Sequence, residues 1–473
     1  MAEANLLLTF DELISSVEGT LVRNGASAVG IYGVATDSRA VGPGFLFVPL
    51  MGEFQDGHEY ITAAVEKGAT CVFVDRAHAE RNGKSYNDLA GDKGVCIISV
   101  ANTLYALQDA ARAYVRKFPR LRKIGITGSS GKTTTKEIIG AVFGTRYNVV
   151  MNEGNLNSET GLPLSVFKIR ESHDVGIFEL GMNRKGEMKE IARVLNPDLA
   201  LITNIGTAHI GILGSKAAIA EEKKAIFDNF SKNCVGFVPE NDEWTDYLSR
   251  IPSGTVYTYG PVSTAGIEST QDRGIDGSLI GYRGTKIAFP LPGAYNLSNA
   301  IAAIALASHA GLTPPEIKRG IESVKPLFGR AQIIRGARTV IVDCYNANPD
   351  SMEKAIDFTA SLSWKGKKIL VIGSMLELGS ESKIAHERIC AQLASSGADM
   401  VFLFGEDIVS AGKTASWEGM RCESFTDIDK LNAALRDSVG DGDLVFLKGS
   451  RGMALERTLP AINADVTGGL IHA

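Results

Sequence analysis

Long apolar runs are missing from this sequence. No stretch approaches the ~18 uninterrupted apolar residues of a membrane-spanning helix, and the longest candidate, Ala300 to Ala310, is broken by Ser308 and His309. Membrane insertion is therefore not expected. The first residues, MAEANLLLTFDELI, lack a basic stretch and reach Asp11 and Glu12 after a very short apolar run, which argues against a secretory signal. Cysteine is scarce: Cys71, Cys96, Cys234, Cys344, Cys390 and Cys422 are scattered without a C-x-x-C pair. A chain of this size needs no disulfides to hold a core, so reduced thiols and a cytoplasmic location are expected. A basic surplus is also absent. The net charge is −5, and basic residues gather only in short clusters such as Arg120 to Lys123, so nucleic acid is not an expected partner. Nor is there a repeat of solenoid period or a low-complexity tract.

What is present is an ordinary globular balance, 44% hydrophobic and 22% charged, so each domain has enough apolar material for its own core. A chain of 473 residues has room for about three domains. Glycine, at 51 residues, exceeds the usual ~7% and implies many tight turns or close backbone approaches.

Three segments follow. Residues 1–118 carry short apolar runs (Gly44 to Leu50, Thr70 to Val74, Val95 to Val100) and one helical stretch, Thr103 to Lys117, as expected of a small α/β domain. A Pro-bearing basic linker, Phe118 to Lys123, leads into residues 119–325. There the runs Ile124 to Thr127, Asp174 to Leu180 and Leu199 to Asn204 alternate with helical patterns, which predicts a parallel sheet covered by helices. A Gly-rich, strand-prone patch from Pro252 to Pro290 interrupts it, before the Ala-rich helix Leu297 to Ala310. Residues 326–473 repeat the alternation, with buried strands expected at Thr339 to Val342, Lys368 to Ile372, Met400 to Phe404 and Leu444 to Leu447.

The strongest local signal is Gly125-Ile-Thr-Gly-Ser-Ser-Gly-Lys-Thr-Thr134, set between an apolar strand and the helical run Thr135 to Phe143. Gly128 and Gly131 let backbone N–H groups around Ser129 and Ser130 curl about phosphate oxygens, and the helix N-terminus adds its positive dipole end. Lys132 is expected on the terminal phosphates and Thr133 on Mg²⁺. The strict G-x-x-x-x-G-K-[ST] pattern is not met, because Ile126 stands where its first Gly belongs. Glu179 and His209 follow the next two strands. In an open parallel sheet ligands gather at the carboxyl ends of the strands, so both are candidate metal ligands, although a lone His there also reads as a capping or surface residue. Lys223 lies in a helical stretch where the charge pattern of Glu221, Glu222, Lys223 and Lys224 by itself reads as a solvated face.

Taken in order, these motifs resemble the Mur ligase family of ATP-dependent amino-acid and peptide ligases, whose central domain is also similar to that of folylpolyglutamate synthase. The T-G-x-x-G-K-T-T loop through Thr134, Glu179 in Phe-Glu-Leu-Gly, and Thr203 to His209 resemble the family's ATP and Mg²⁺ elements. Ile219-Ala-x-Glu-x-x-x-Ile226 resembles the segment carrying its carbamylated lysine, which the register assigns to Lys223. Pro292-Gly-Ala-Tyr-Asn-Leu-Ser-Asn299 resembles the adenine-side motif, implying contacts from Asn296 and Asn299, with Tyr295 where His is common. Gly329-Arg330 and Asp343-Cys-Tyr-Asn-Ala-Asn-Pro349 resemble the segment in which an Arg reaches ATP phosphates and an Asp the ribose. Asp343 to Met352, Met375 to Gly379 and Lys448 to Arg451 resemble in particular the member that adds D-alanyl-D-alanine to UDP-N-acetylmuramoyl-tripeptide, with Ser374 where Asp is usual. Thr36-Asp-Ser38-Arg39, Gly52 to His58 (with Asp56 and Gly57), Asn155-Leu-Asn157 and Thr160-Gly161 resemble elements that touch the nucleotide-sugar peptide.

The resemblance implies three α/β domains: a small one for the UDP-sugar, a central phosphate-loop ATPase-like parallel-sheet domain, and a Rossmann-like C-terminal domain. It also implies two Mg²⁺ ions, an acyl-phosphate intermediate, and Lys132, Lys223, His209 and Arg330 as the catalytic set of a monomeric enzyme. Rival readings are the tripeptide-forming Mur ligase, a folylpolyglutamate synthase-like ligase and, from another class, a nucleotide-dependent binding protein without ligation.

Overall fold

The computed structural model describes residues 5–52 and 54–462; Glu53, within the Gly52 to His58 motif, lies outside them, as do residues 1–4 of the N-terminal stretch and residues 463–473. The chain packs as two compact units. The first runs to Gly125 and takes in Tyr147–Ala200 and Ala225–Cys234; the second holds Ile126–Arg146, Leu201–Lys224 and the described residues from Val235.

In the first unit a five-stranded sheet runs in the order Thr20–Asn24, Cys96–Val100, Ala69–Asp75, Phe45–Phe47, Gly33–Ala35. All neighbours are parallel except the first pair. Strand Ala69–Asp75 is apolar almost throughout because helices cover both faces of a parallel sheet; Val72, Val74 and Ile97 pack with Ile61, Ala64, Tyr86 and Ala90. The expected helix is present as Thr103–Arg116. The short helices Phe10–Ser16 and Ile61–Glu66 and the longer Arg76–Lys93 were not expected; on the last only Tyr86 and Ala90 are buried and it kinks at Asn82, so it carries no apolar stripe to read. The same unit holds the parallel pair Val149–Met151 and Val175–Glu179 and helix Glu187–Leu195. Strands Arg122–Thr127 and Leu199–Ile202 pass from one unit into the other.

In the second unit, helix Lys132–Phe143 begins three residues before the expected start. Helix Pro314–Glu322 packs so tightly on it that a Cβ on Gly320 would lie 2.3 Å from Val142 Cα. In the Gly-rich patch, Thr255–Tyr259 pairs in parallel with Val235–Pro239, and the rest forms a three-stranded antiparallel sheet of Ile267–Asp272, Ser278–Tyr282 and Thr285–Phe289. Its second hairpin turns on Arg283 and Gly284, both at positive φ, as two-residue hairpin loops require.

The C-terminal part of the second unit is a doubly wound sheet in the order Gln332–Arg335, Thr339–Asp343, Leu444–Lys448, Lys368–Gly373, Met400–Phe404, Arg421–Phe425. Only its first pair is antiparallel. The four inner strands are the four expected, and each face has its own buried cluster, one around Ile341, Leu370 and Phe446, the other around Val342, Val371 and Leu447. All six cysteines are free. Among the described residues no helix is long and apolar enough to cross a membrane.

Helix Pro314–Glu322 shows how surface charge is used. Glu316 closes a capping box with Thr313, and its carboxylate accepts from Arg146 Nε at 2.8 Å and Nη2 at 2.5 Å. Arg146 first, then Thr313, hold the Glu316 carboxyl down to about 2 from the ordinary 4.5. The folded value is depressed, so this stabilisation is complete above pH ~4.5 and fades as the pH falls toward 2. Glu316→Gln keeps a capping oxygen and removes the ion pair; its urea midpoint is expected below wild type at pH 7, with a smaller gap at pH 3.

Candidate functional site

The phosphate loop follows strand Arg122–Thr127. Gly128 and Gly131 adopt φ of +147 and +79. A Cβ on Gly128 would fall 1.8 Å from Thr203 Oγ1, and one on Gly131 2.9 Å from Asn299 Oδ1, so both glycines are required by backbone conformation and by space. Gly131 starts helix Lys132–Phe143 with no side-chain cap, which turns the positive end of the helix toward the loop. The loop is braced by the Thr203-Asn204 motif. Ser129 N–H donates to the Asn204 carbonyl at 3.0 Å, Ser130 N–H donates to Asn204 Oδ1 at 3.1 Å, and Asn204 Nδ2 and Thr203 Oγ1 donate to the Ser130 carbonyl at 3.0 and 2.6 Å. Lys132 Nζ arches back to the Gly128 carbonyl at 2.8 Å, Thr133 is buried, and Thr134 follows it on the helix's first turn.

Lys132 also bears on His209 and Lys223. His209 takes a left-handed φ of +66, and its Nδ1 is buried without a hydrogen-bond partner. Burial first, then the charges of Lys223 and Lys132, push its pKa down to about 4, so the ring is neutral near pH 7. Lys223, on helix Lys216–Lys224, is 1% exposed; burial and then Lys132 push its ammonium well below the ordinary range, against the opposing pull of Glu222. Its neighbour Lys224 points elsewhere, donating to the Tyr247 carbonyl at 2.7 Å and lying over the Tyr247 ring. A cluster of nitrogen bases that repel one another's protons is arranged to receive anions or a metal with anionic ligands.

In the motif expected to face adenine, Asn296 and Asn299 are both buried. Asn296 spends its amide on the Pro292 carbonyl at 2.8 Å, whereas Asn299 reaches the phosphate loop beside Gly131. The Tyr295 hydroxyl is buried without a partner, and burial, with the Asp343 charge behind it, pushes its pKa well up. The Arg330 guanidinium stacks 4.0 Å over the Tyr345 ring. Asp343 accepts from the Ala331 N–H at 3.2 Å and from Lys448 Nζ at 2.6 Å. Lys448, from the Lys-Gly-Ser-Arg motif and 2% exposed, neutralises Asp343.

In the first unit, Glu179 ends strand Val175–Glu179 and is 3% exposed. Its Oε1 accepts from Asn157 Nδ2 at 2.7 Å, so an expected metal ligand and an expected substrate residue meet. Asn152 brackets the Glu179 backbone in both directions. Asn155 is exposed, and Thr160 Oγ1 shares a hydrogen bond with Ser158 Oγ at 3.2 Å. Ser38 opens a short turn capped by Asp37, whose carboxylate also grips the exposed Arg39 at 2.7 Å.

His58 is turned inward. Its Nε2 accepts from the Asp75 N–H at 3.1 Å, which puts the ring proton on Nδ1, facing Asp56 Oδ1 at 2.7 Å. His78 stacks on the ring at 3.8 Å and meets Asp56 Oδ2 at 2.8 Å. This trio has the spacing of a metal site, but both His58 nitrogens are already committed, and the arrangement is a hydrogen-bonded buckle closing the turn Gly57–Tyr60 onto helix Arg76–Lys93. Gly57 fits because a Cβ would lie 2.6 Å from Leu50 N. His78 carried no motif in the sequence and was missed.

Three family models match the chain: the Mur ligase family catalytic domain at residues 30–115, the Mur ligase middle domain at 126–307, and the Mur ligase glutamate ligase domain at 329–451. The UDP-N-acetylmuramoyl-tripeptide--D-alanyl-D-alanine ligase of Treponema pallidum is 46% identical over 97% of this chain and 100% of its own length. The Bacillus subtilis ligase of that name is 36% identical over 95% and 96%. Among solved structures, MurF from Acinetobacter baumannii superposes with a TM-score of 0.84 at 26% identity, covering 96% of this chain and 98% of that one. MurF from Thermotoga maritima in complex with ADP superposes with a TM-score of 0.77 at 25% identity, covering 91% and 96%.

Proposed function

This chain belongs to the Mur ligase family, and from that membership we propose the reaction its site performs. It joins D-alanyl-D-alanine to UDP-N-acetylmuramoyl-tripeptide with ATP, giving the pentapeptide, ADP and phosphate. The observation that carries this is the match along nearly the whole chain to a ligase of that name at 46% identity.

In the mechanism, the C-terminal carboxylate of the tripeptide attacks the γ-phosphorus of ATP and ADP leaves. The neutral amine of D-alanyl-D-alanine then attacks the carbonyl carbon of the acyl phosphate, phosphate leaves, the nitrogen gives up a proton, and an amide remains. A free carboxylate is a poor acylating agent, and phosphorylation turns one of its oxygens into a leaving group. The protein's work is positioning and charge neutralisation. The amides around Gly128 to Thr134 cradle the phosphates, and Lys132 follows the charge on the transferring group. Arg330, held flat by Tyr345, supplies a second cation, and Asp343 is the ribose contact. The site's chemistry fits a divalent cation, since the buried His209 Nδ1 has no partner in the fold and a neutral imidazole is a ligand. When bound, Mg²⁺ neutralises phosphate charge. Thr133, Glu179, His209 and Lys223 are the residues proposed to hold two such ions, with Lys223 as its carbamate: a neutral buried amine adds to CO2, releases one proton, and offers the anionic oxygens that Mg²⁺ prefers.

Residues 1–118 are proposed to hold the UDP-sugar, 119–325 Mg·ATP, and 326–473 to close over both with the dipeptide. Ser38, Arg39, Asp56, Gly57, His58, Asn155, Asn157 and Thr160 are proposed to line or shape the path of the nucleotide-sugar peptide. A cytoplasmic setting accords with six free thiols and with dependence on ATP. The deciding assay is phosphate release with Mg·ATP and UDP-N-acetylmuramoyl-tripeptide, with and without D-alanyl-D-alanine. Release should require the dipeptide. Release driven instead by L-lysine, diaminopimelate or glutamate would reassign the chain within the family, and nucleotide binding with no product by mass spectrometry would make it a binding protein.

A further inference from the structure

The loop carrying His209 is gripped from both sides within the second unit. On one side, Gly206 N–H donates to Ser129 Oγ of the phosphate loop at 2.8 Å. On the other, Asp350, in the first turn of helix Pro349–Ser361, accepts from the Thr207 N–H at 2.5 Å and from the Thr207 hydroxyl at 2.6 Å, both through Oδ2. The backbone between is sandwiched: a Cβ on Gly206 would lie 2.6 Å from Asp350 Oδ2 and 3.3 Å from Ser129 Cβ. Four residues beyond Thr207, Gly211 rests on the Leu378 carbonyl, where a Cβ would come within 3.0 Å. Asp350 and Leu378 belong to Asn348-Pro-Asp-Ser-Met352 and Met375-Leu-Glu-Leu-Gly379. His209 sits between these two grips with its left-handed backbone, a conformation that a residue with a Cβ keeps only where its surroundings hold it.

We propose that Asp350 is a positioning residue for ligation: by gripping Thr207 it fixes the loop that aims His209, so that the metal-holding side of the site is assembled by the C-terminal segment. This rests on the reading in which His209 helps to hold Mg²⁺. Two short hydrogen bonds converging on one oxygen tie down both the backbone and the side chain of Thr207, and residues that orient metal ligands typically matter 10- to 100-fold in metal affinity or activity. The plainer role for Asp350 is support of its own helix, where an acidic group in the first turn favours the dipole. Asp350→Asn separates the two, because the carboxamide oxygen can take both hydrogen bonds while the charge is lost.

Two measurements on the full chain test this. In hydrogen exchange without ligands, Asp350→Ala should speed exchange of residues 204–213 at least about tenfold and leave the Lys368–Gly373 and Leu444–Lys448 strands unchanged, with Asp350→Asn close to wild type. In the phosphate-release assay, Asp350→Ala should lower kcat about 10- to 100-fold and raise the Mg²⁺ concentration for half-activity, with the KM for the UDP-linked substrate unchanged. Asp350→Asn should stay within about threefold of wild type by the same reasoning, and Thr207→Val should add no further loss to Asp350→Ala. The proposal is overturned by wild-type exchange in 204–213 of Asp350→Ala, by a general rise in exchange, by equal losses in the Ala and Asn variants, or by additive losses in the double variant. A wild-type protein that ligates nothing would defeat the functional reading alone, since the exchange measurement judges the Asp350 grip without substrate.

Discussion

Lys132→Ala is expected to lower dipeptide-dependent phosphate release about 10³-fold, the scale on which removing one preorganised charge from a phosphoryl-transfer or oxyanion site is felt. The effect should fall on kcat. Lys132 is held by the Gly128 carbonyl at 2.8 Å, so its ammonium waits over the loop and needs no search for the γ-phosphate. Binding of ADP, which lacks that phosphate, rests more on the loop amides and should weaken far less. Lys132→Arg should not restore the rate: a planar guanidinium is a different donor from a compact ammonium, and the loop is too closely braced by Thr203 and Asn204 to be reshaped around it. Calorimetric ADP binding set beside single-turnover phosphate release separates the two quantities. A variant that loses ADP binding as severely as kcat would show Lys132 to be part of the loop's architecture, and the transition-state role would fall.

How much of this was legible beforehand follows from where the information lies. The phosphate loop was legible because its constraints are local: two glycines at positive φ, a lysine and a helix start, all within one short stretch. The inner strands of the C-terminal sheet were legible because parallel strands covered on both faces are continuously apolar. Gln332–Arg335 and Arg421–Phe425, at the edges of that sheet, are half-exposed and left no such mark. In the site, what could not be read were contacts between residues far apart in the chain. Asp343 and Lys448 are 105 positions apart, Thr207 and Asp350 143, and no spacing rule reaches that far. Residue type did not show the local partners either: Arg39 pairs with Asp37, and His58 is held by Asp56 and the Asp75 backbone. Lys223 lies between these extremes. In a Glu-Glu-Lys-Lys run its charge pattern reads as solvated surface, and only the family resemblance and then its burial separate it from Lys224.

Lys223 therefore supports the second large prediction. Lys223→Ala is expected to lower ligation by about 10³-fold, as loss of an anionic metal-side group at a phosphoryl-transfer site should, with partial recovery in formate or acetate. The alanine leaves space for a small carboxylate to stand where the carbamate oxygens would be. A lysine acting only through positive charge would not be replaced by an anion, so absence of recovery removes the carbamate role, and unchanged activity removes Lys223 from the site altogether. Stability without ligands gives an independent reading of the same group. The folded-state affinity of Lys223 for protons lies well below the ordinary value, so between that depressed value and about 10.4 the unfolded chain binds the extra proton, and wild-type stability rises with pH across the window. Lys223→Met keeps a similar shape and has no proton to lose. In protein freed of CO2 and metal it should be the more stable of the two at pH 7 in urea titrations, and its advantage should shrink as the pH is raised toward 10. A constant difference between pH 7 and 10 would mean that the amine is not buried in its neutral form, and with that the chemical reason for its reaction with CO2 would be lost.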